Sequence, residues 1–456
     1  MKKHARLAIV GIVVVAFLLF LLVGAFALRW IGAKQRADEL LTLSAAAQPV
    51  LPSDLGRIED PRPEPTPWFA QLVAARTRWE PSALADPSAF DALRAQSKRG
   101  QLGAETEEAF AKLEACARAD CAPAVQRVLD VLAARDGIVE APPCGLEAVR
   151  LLALGTAPQV EVARLAGQYG PVDTRVVVAS LERSGAAFPT LPVAQSLALS
   201  DALQIELLRA LWSERPEIVP DLLRAQRDVA RIFQGAQLLV GGLATILADQ
   251  RLLGMLEMSL SRLPRDTDLG WLEKDLETLR PRARLAIAAA GECAFGNRAY
   301  ERLRAGAERF GPPAVLPTSL TVSYDQAHHI RAWRERIERM NQPAYRRPKS
   351  EPRGWLDEHL APISTGLSSA PDSAVAAADQ LEARLVLARA ALVAFRSDAK
   401  ELLEFLAKTS DPFDGKPIRA GFGEGGLVLL WSVGPDGIDD GGLDDQRDLV
   451  WRFRPR

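Results

Sequence analysis

Histidine is nearly absent from this chain of 456 residues: His4, His328, His329 and His359 are all it has. Cysteine is as scarce, with Cys116, Cys121, Cys144 and Cys293. No Cys-x-x-Cys pair occurs and no histidine lies near a cysteine in sequence, so a structural zinc site has no support. His328 and His329 are neighbours, and on a helix they point about 100° apart, a poor arrangement for sharing a metal. Three catalytic or phosphate-binding signatures are missing: Gly-x4-Gly-Lys-Ser/Thr, His-Glu-x-x-His and Gly-x-Ser-x-Gly. The chain also lacks a basic excess. Its 56 Lys plus Arg against 58 Asp plus Glu give a net charge of -2, which argues against a nucleic-acid-coating protein.

Acidic residues are missing altogether from residues 1–36, where Lys2, Lys3, Arg6, Arg29, Lys34 and Arg36 stand. Between these basic ends, residues 7–28 carry no charge. Such a run makes a helix of about 33 Å, enough for a hydrocarbon core of about 30 Å. The expectation is a single-pass anchor at 7–28 behind a cytoplasmic stub at 1–6, with the acidic bulk across the membrane by the positive-inside rule. A cleaved signal peptide, with Ala25-Phe26-Ala27 as its small-residue site, is the alternative. A second apolar stretch, from Gln237 to Ala248, is too short to span and reads as a buried core helix. In an oxidising compartment Cys116, Cys121 and Cys144 are close enough for one local bridge. Four cysteines allow three full pairings, and spacing does not choose among them.

Pro49, Pro52, Pro61, Pro63, Pro65 and Pro67 mark residues 29–67 as a Pro-rich linker, extended and lifting the body off the bilayer. Residues 68–408 read as a helical body. The pattern is clearest over Ala104–Ala119, Pro123–Arg135, Val193–Trp212, Pro220–Leu260, Asp268–Ala307, Tyr324–Asn341 and Asp372–Lys408. Within it Arg331, Arg334, Arg336, Arg339, Arg346, Arg347 and Lys349 form a basic stretch with Trp333 and Tyr345. That stretch reads as a salt-bridged helix face, with an acidic partner or lipid head groups as the alternative.

At residue 409 the texture changes. Asp411-Pro412 and Asp414-Gly415 mark tight turns, and a Gly-rich stretch runs to Gly426. Two strands follow, Leu427–Val433 and Leu449–Phe453, which make residues 409–456 a small antiparallel β module. The 15 residues between them hold Asp436, Asp439, Asp440, Asp444, Asp445 and Asp448. Six carboxylates so close repel one another. A calcium ion, which takes six to eight oxygens, would neutralise them. A solvated acidic loop or Asp-capped turns are the other readings. The spacing is not that of an EF-hand, because Ile438 and Arg447 fall where ligands are needed.

Asp411-Pro412-Phe413-x-Gly415-Lys416-Pro417, a strand ending Trp431-Ser432-Val433-Gly434-Pro435-Asp436-Gly437, then Gly441-Gly442 and Asp-rich text into Asp448-Leu449, resembles the C-terminal region of type II secretion major pseudopilins. The likeness covers about residues 380–456 and is specific from 411 onward. It implies a calcium ion that stiffens the C-terminal sheet, with Asp436 as the first acidic ligand. Asp445 and Asp448 would be the later pair, Asp444 competing with them and Asp439 and Asp440 in reserve. Residues 1–28 contain no Glu, unlike the start of a pseudopilin.

Taken together, the sequence predicts a mainly α protein with one N-terminal transmembrane helix, a multi-helix extracytoplasmic body and the β module. Its expected place is the bacterial inner membrane, N-terminus cytoplasmic and bulk periplasmic. Its expected partners are the lipid bilayer through 7–28 and an envelope protein, with no nucleic acid. Scaffolding or protein interaction, linked to secretion or surface assembly, is the expected work. A hydrolase-type enzyme with its site in the helical body is the alternative, and a receptor using the stretch from Arg331 to Lys349 a third.

Overall fold

The structure, a computed structural model, describes residues 25–454 except 47, 52–53, 56–61, 64, 119, 135–139, 174–191, 236, 306–317, 348–370 and 443–446. Residues 7–24 of the expected span, His359, Asp444 and Asp445 lie outside the described residues.

Residues 25–45 form a helix, α1. Residues 29–45 of the expected linker are therefore helical. Gly32, Glu39 and Leu43 recur on one face of α1 and are buried, which is the spacing of a packed helix rather than of an extended spacer. Two described residues near the end of that expected linker, Pro63 and Trp68, are held against the body. The Gly170 amide donates to the Pro63 carbonyl at 2.9 Å, and the buried Trp68 donates its indole N–H to the Val162 carbonyl at 2.9 Å.

The body follows as α2 (Thr66–Ala74), α3 (Pro81–Ala85), α4 (Pro87–Lys98), α5 (Ala104–Ala117), α6 (Cys121–Ala134), α7 (Gly145–Leu165), α8 (Val193–Trp212), α9 (Val219–Phe233), α10 (Leu239–Leu260), α11 (Gly270–Thr278), α12 (Pro281–Arg304), α13 (Thr318–Met340), α14 (Pro371–Arg396) and α15 (Ala399–Ala407). Helices adjacent in sequence pack on one another, with α7 on α8, α9 on α10 and α12 on α13. Three expected long helices are each broken in two. The segment from Pro220 to Leu260 breaks after Phe233, and the one from Asp268 breaks before Pro281. The last breaks where the Asp398 carboxylate caps the amides of Lys400 and Glu401, both at 3.0 Å. Capping satisfies amides that a helix start leaves without partners.

Helix α10 is the centre of the body, touching α8, α9, α12 and α14. Among the described residues it is the one helix long and apolar enough to cross a membrane, with 67% of its most apolar window buried in the protein. A single disulfide joins Cys116 at the end of α5 to Cys144 before α7, while Cys121 and Cys293 are free and buried. The spacing had left this pairing open.

Three strands close the described chain: β1 (Arg419–Phe422), β2 (Val428–Ser432) and β3 (Leu449–Phe453). They form an antiparallel sheet in the order β1-β2-β3, with Leu430 opposite Ala420 on one side and Trp451 on the other. The strand β1 was not expected, since its stretch reads as glycine-rich turn; pairing with β2 holds it extended. Alternation turns Val428, Leu430, Ser432, Trp451 and Phe453 inward, against α14 and α10. The apolar ones among them belong to the same core as the helices. Trp431 points the other way, so of Trp431, Trp451 and Phe453 only the last two pack on the helices.

Candidate functional site in the C-terminal sheet

Asp411 organises the turn before the sheet. It is fully buried, and its carboxylate accepts from the Phe413 amide at 2.9 Å, the Ser432 hydroxyl at 2.9 Å and the Val433 amide at 3.0 Å. Arg419 Nη1 adds an ion pair at 2.9 Å. Burial pushes this carboxyl up, and the three hydrogen bonds oppose the shift. In sequence Asp411 reads as a turn marker and as the first residue of the pseudopilin-like motif. Its role as the link between the turn and the end of β2 depends on contacts 21 and 22 residues away.

Arg419 is the counter-charge of this region. Its guanidinium reaches Asp411, Asp414 and Asp439, the last at 3.2 Å. Burial raises Asp414, but the Arg419 bond and the Lys416 amide outweigh it and hold the carboxyl below the usual range. Asp439 is likewise held low, first by the Trp431 indole N–H at 2.9 Å, then by the Gly441 amide and Arg419. Part of the expected carboxylate repulsion is therefore relieved within the chain, by a residue that reads in sequence as an ordinary basic side chain.

The remaining candidates are placed as follows. Asp436 is exposed and caps the Ile438 amide at 3.0 Å. Asp448 is fully buried, and its Oδ2 accepts from the amides of Asp440 at 3.2 Å and Gly442 at 2.8 Å. Its Oδ1 is buried with no hydrogen-bond donor among the described residues. Oδ2 of Asp440 is in the same condition, with Arg447 Nη1 at 3.9 Å. Among the described residues no group of three or more His, Cys, Asp or Glu side chains converges as a metal site. So Asp436, Asp439, Asp440 and Asp448 are not brought together as a set of three. The two ends of the loop lie close together. Gly434 has φ +67°, and a Cβ there would collide with the Arg447 carbonyl, which pins the loop's two ends against each other.

The outer edge of β3 is covered by the body. Glu257 on α10 accepts from the Arg452 amide at 3.2 Å, and Ser261 just beyond α10 accepts from the Arg454 amide at 3.1 Å. Covering an edge removes unpaired strand groups from solvent.

Two other clusters in the body bear on an enzymatic reading. A cavity of about 320 Å³ is lined by Leu276, Arg282, Glu382, Leu385 and Asp411. Burial raises Glu382, and its ion pair with Arg282 opposes the shift. Deeper in, Arg227 bridges Asp275 and Asp249, and Arg284 approaches Asp249 at 3.5 Å. Burial raises Asp249, while the two guanidinium groups pull it back. Buried ion-pair networks of this kind shift carboxylates without any catalytic purpose. The basic stretch on and just after α13 is engaged as well: Arg331 and Arg334 pair with Glu39, Arg347 with Asp379, and Arg336 stacks over Trp333.

No protein-family model matches the chain, and neither a curated protein nor a solved structure matches it.

Proposed function

We propose that this chain is a non-enzymatic scaffold or interaction protein of the bacterial envelope. Residues 7–28 cross the inner membrane once, the N-terminus is cytoplasmic, and the bulk lies in the periplasm. A calcium ion locks its pseudopilin-like C-terminal sheet, and the work is linked to secretion or surface assembly through an envelope protein partner. The observation that carries the cation is the buried carboxylate of Asp448, whose Oδ1 has no donor among the described residues. A buried charged oxygen left without a partner is costly, and a divalent ion would relieve it. Asp448 and Asp440 would hold the ion, with Asp436, Asp444 or Asp445 completing its oxygen shell. Bound there, calcium would supply charge neutralisation and cross-linking of the loop. The uncharged run at 7–28 and the disulfide between Cys116 and Cys144 support the membrane and oxidising-compartment readings.

The test is Asp448→Asn. The amide oxygen keeps an acceptor for the Asp440 and Gly442 amides, so the sheet should form without calcium. The calcium-dependent gain in thermal stability should disappear. A variant that keeps the full gain would overturn the assignment of Asp448. The enzymatic reading has Glu382 as its support, but that carboxylate is held by Arg282 as in a structural pair.

A further inference from the structure

The packing of α1 fixes how far the body stands from the bilayer. Gly32 lies against the backbone of α13: a Cβ built on it would stand 2.7 Å from the Tyr324 amide nitrogen. Seven residues further along each helix, Glu39 pairs with Arg331 at 3.0 Å, and Arg334 joins at 3.2 Å. Equal spacing on both helices means that α1 and α13 run parallel and in step. Arg36 meets Glu301 near the end of α12 at 3.0 Å, while Asn297, four residues earlier on α12, donates to the Val50 carbonyl. So α12 runs the other way, toward the membrane.

From this rest two levels. Gly32 is four residues beyond the uncharged run, about 6 Å along the helix, and Tyr324 shares its level. The first residue of α13, Thr318, is about 9 Å nearer the bilayer than Tyr324, at the level of residue 26 in the last turn of that run. Arg304 at the end of α12 is about 4–5 Å nearer than Glu301. Each headgroup layer is about 5–8 Å thick. We propose that the last turn of α12 and the first turn of α13, together with residues 26–34 of α1, form a membrane-contact surface that rests in the headgroup layer beside the anchor. This rests on the reading of 7–28 as membrane-spanning.

The exposed residues at this level fit that partner. Phe26, Trp30 and Ile31 are exposed apolar side chains on α1, continuous with the apolar run. Arg29 and Lys34 are exposed beside them, and Lys34 sits over the Trp30 ring at 5.9 Å. Arg302 and Arg304 lie half-buried in the last turn of α12, Arg304 paired with Glu301. Aromatic rings with basic groups are what the bilayer interface selects. A second protein would not explain why the set continues the hydrophobic run.

The experiment places a fluorophore at Ala305→Cys or at Asn341→Cys in the full chain, reconstituted into lipid nanodiscs carrying a headgroup-attached nitroxide. Both positions are exposed, and the native cysteines are either bridged or buried. Asn341 is about 25 Å further along α13 than Tyr324. Quenching at Ala305 several-fold stronger than at Asn341 is expected. Equal quenching at the two positions would overturn the proposal while leaving the anchor intact. A chain that does not enter the discs would overturn the anchor reading, and this proposal with it.

Discussion

Asp411→Ala is expected to destabilise the attachment of the C-terminal sheet by about 3–5 kcal/mol, the usual cost of breaking a buried charged network from one side. The carboxylate accepts from Phe413, Ser432 and Val433 and pairs with Arg419. Its loss leaves the Val433 amide and the Ser432 hydroxyl buried without an acceptor, and it removes one of three carboxylates from Arg419. Hydrogen exchange should show β1 and the end of β2 opening, while far-UV circular dichroism keeps the helical signal. Asp411→Asn retains an acceptor and should cost less, about 1–2 kcal/mol. If alanine at this position leaves sheet protection unchanged, Asp411 does not organise the turn.

Acidification is expected to act on the body through His329. The imidazole is buried between the Tyr300 ring at 5.4 Å and the Trp333 ring at 6.2 Å, with Nε2 at 3.4 Å from the Cys293 carbonyl. Asp325 faces this cluster through the Tyr300 hydroxyl, and Arg336 and His328 add positive charge. Burial first, and then the two cations, lower His329 to about 4. The unfolded chain protonates this histidine near 6.5 and the folded chain only near 4, so the unfolded state binds more protons between those values. Stability present above about pH 6.5 is therefore lost as pH falls, by about 3 kcal/mol at pH 4. His329→Gln should reduce the slope of stability against pH in this window by about one proton. The carboxyls of Asp414 and Asp439, held below their usual range, titrate lower and should leave that window alone. An unchanged slope in the variant would contradict the buried, neutral state of His329.

What could be read from the sequence was periodicity and composition. Strand β2 was visible as a short apolar run bounded by glycine turns, but not which side of it faces the core, because outward Leu429 and Trp431 are as apolar as inward Val428 and Leu430. The helical body was visible by its periodicity. Strand β1 was not, because Gly421 and Gly423 carry no side-chain pattern and only the partner strand holds them extended. Helix α1 was hidden by the prolines that follow it; its packing face becomes meaningful only once Tyr324, Glu301 and Arg331 are beside it. At the candidate site, the six Asp and the glycines gave the loop, but not its internal counter-charge. Arg419 stands 20 residues before Asp439, and Glu257, which covers β3, stands 195 residues before Arg452. Such pairings are set by tertiary packing, which local spacing does not encode.

The central claim is that a divalent cation locks the C-terminal sheet, and thermal melting with calcium and with chelator tests it most directly. An ion that binds only the folded state stabilises by about 2.7 kcal/mol at 100 times its dissociation constant. For a chain of this length that corresponds to about 3 °C in a two-state midpoint. The account predicts a higher midpoint with calcium, reversed by chelator and abolished by Asp448→Asn. Superimposable curves with calcium and with chelator would contradict it.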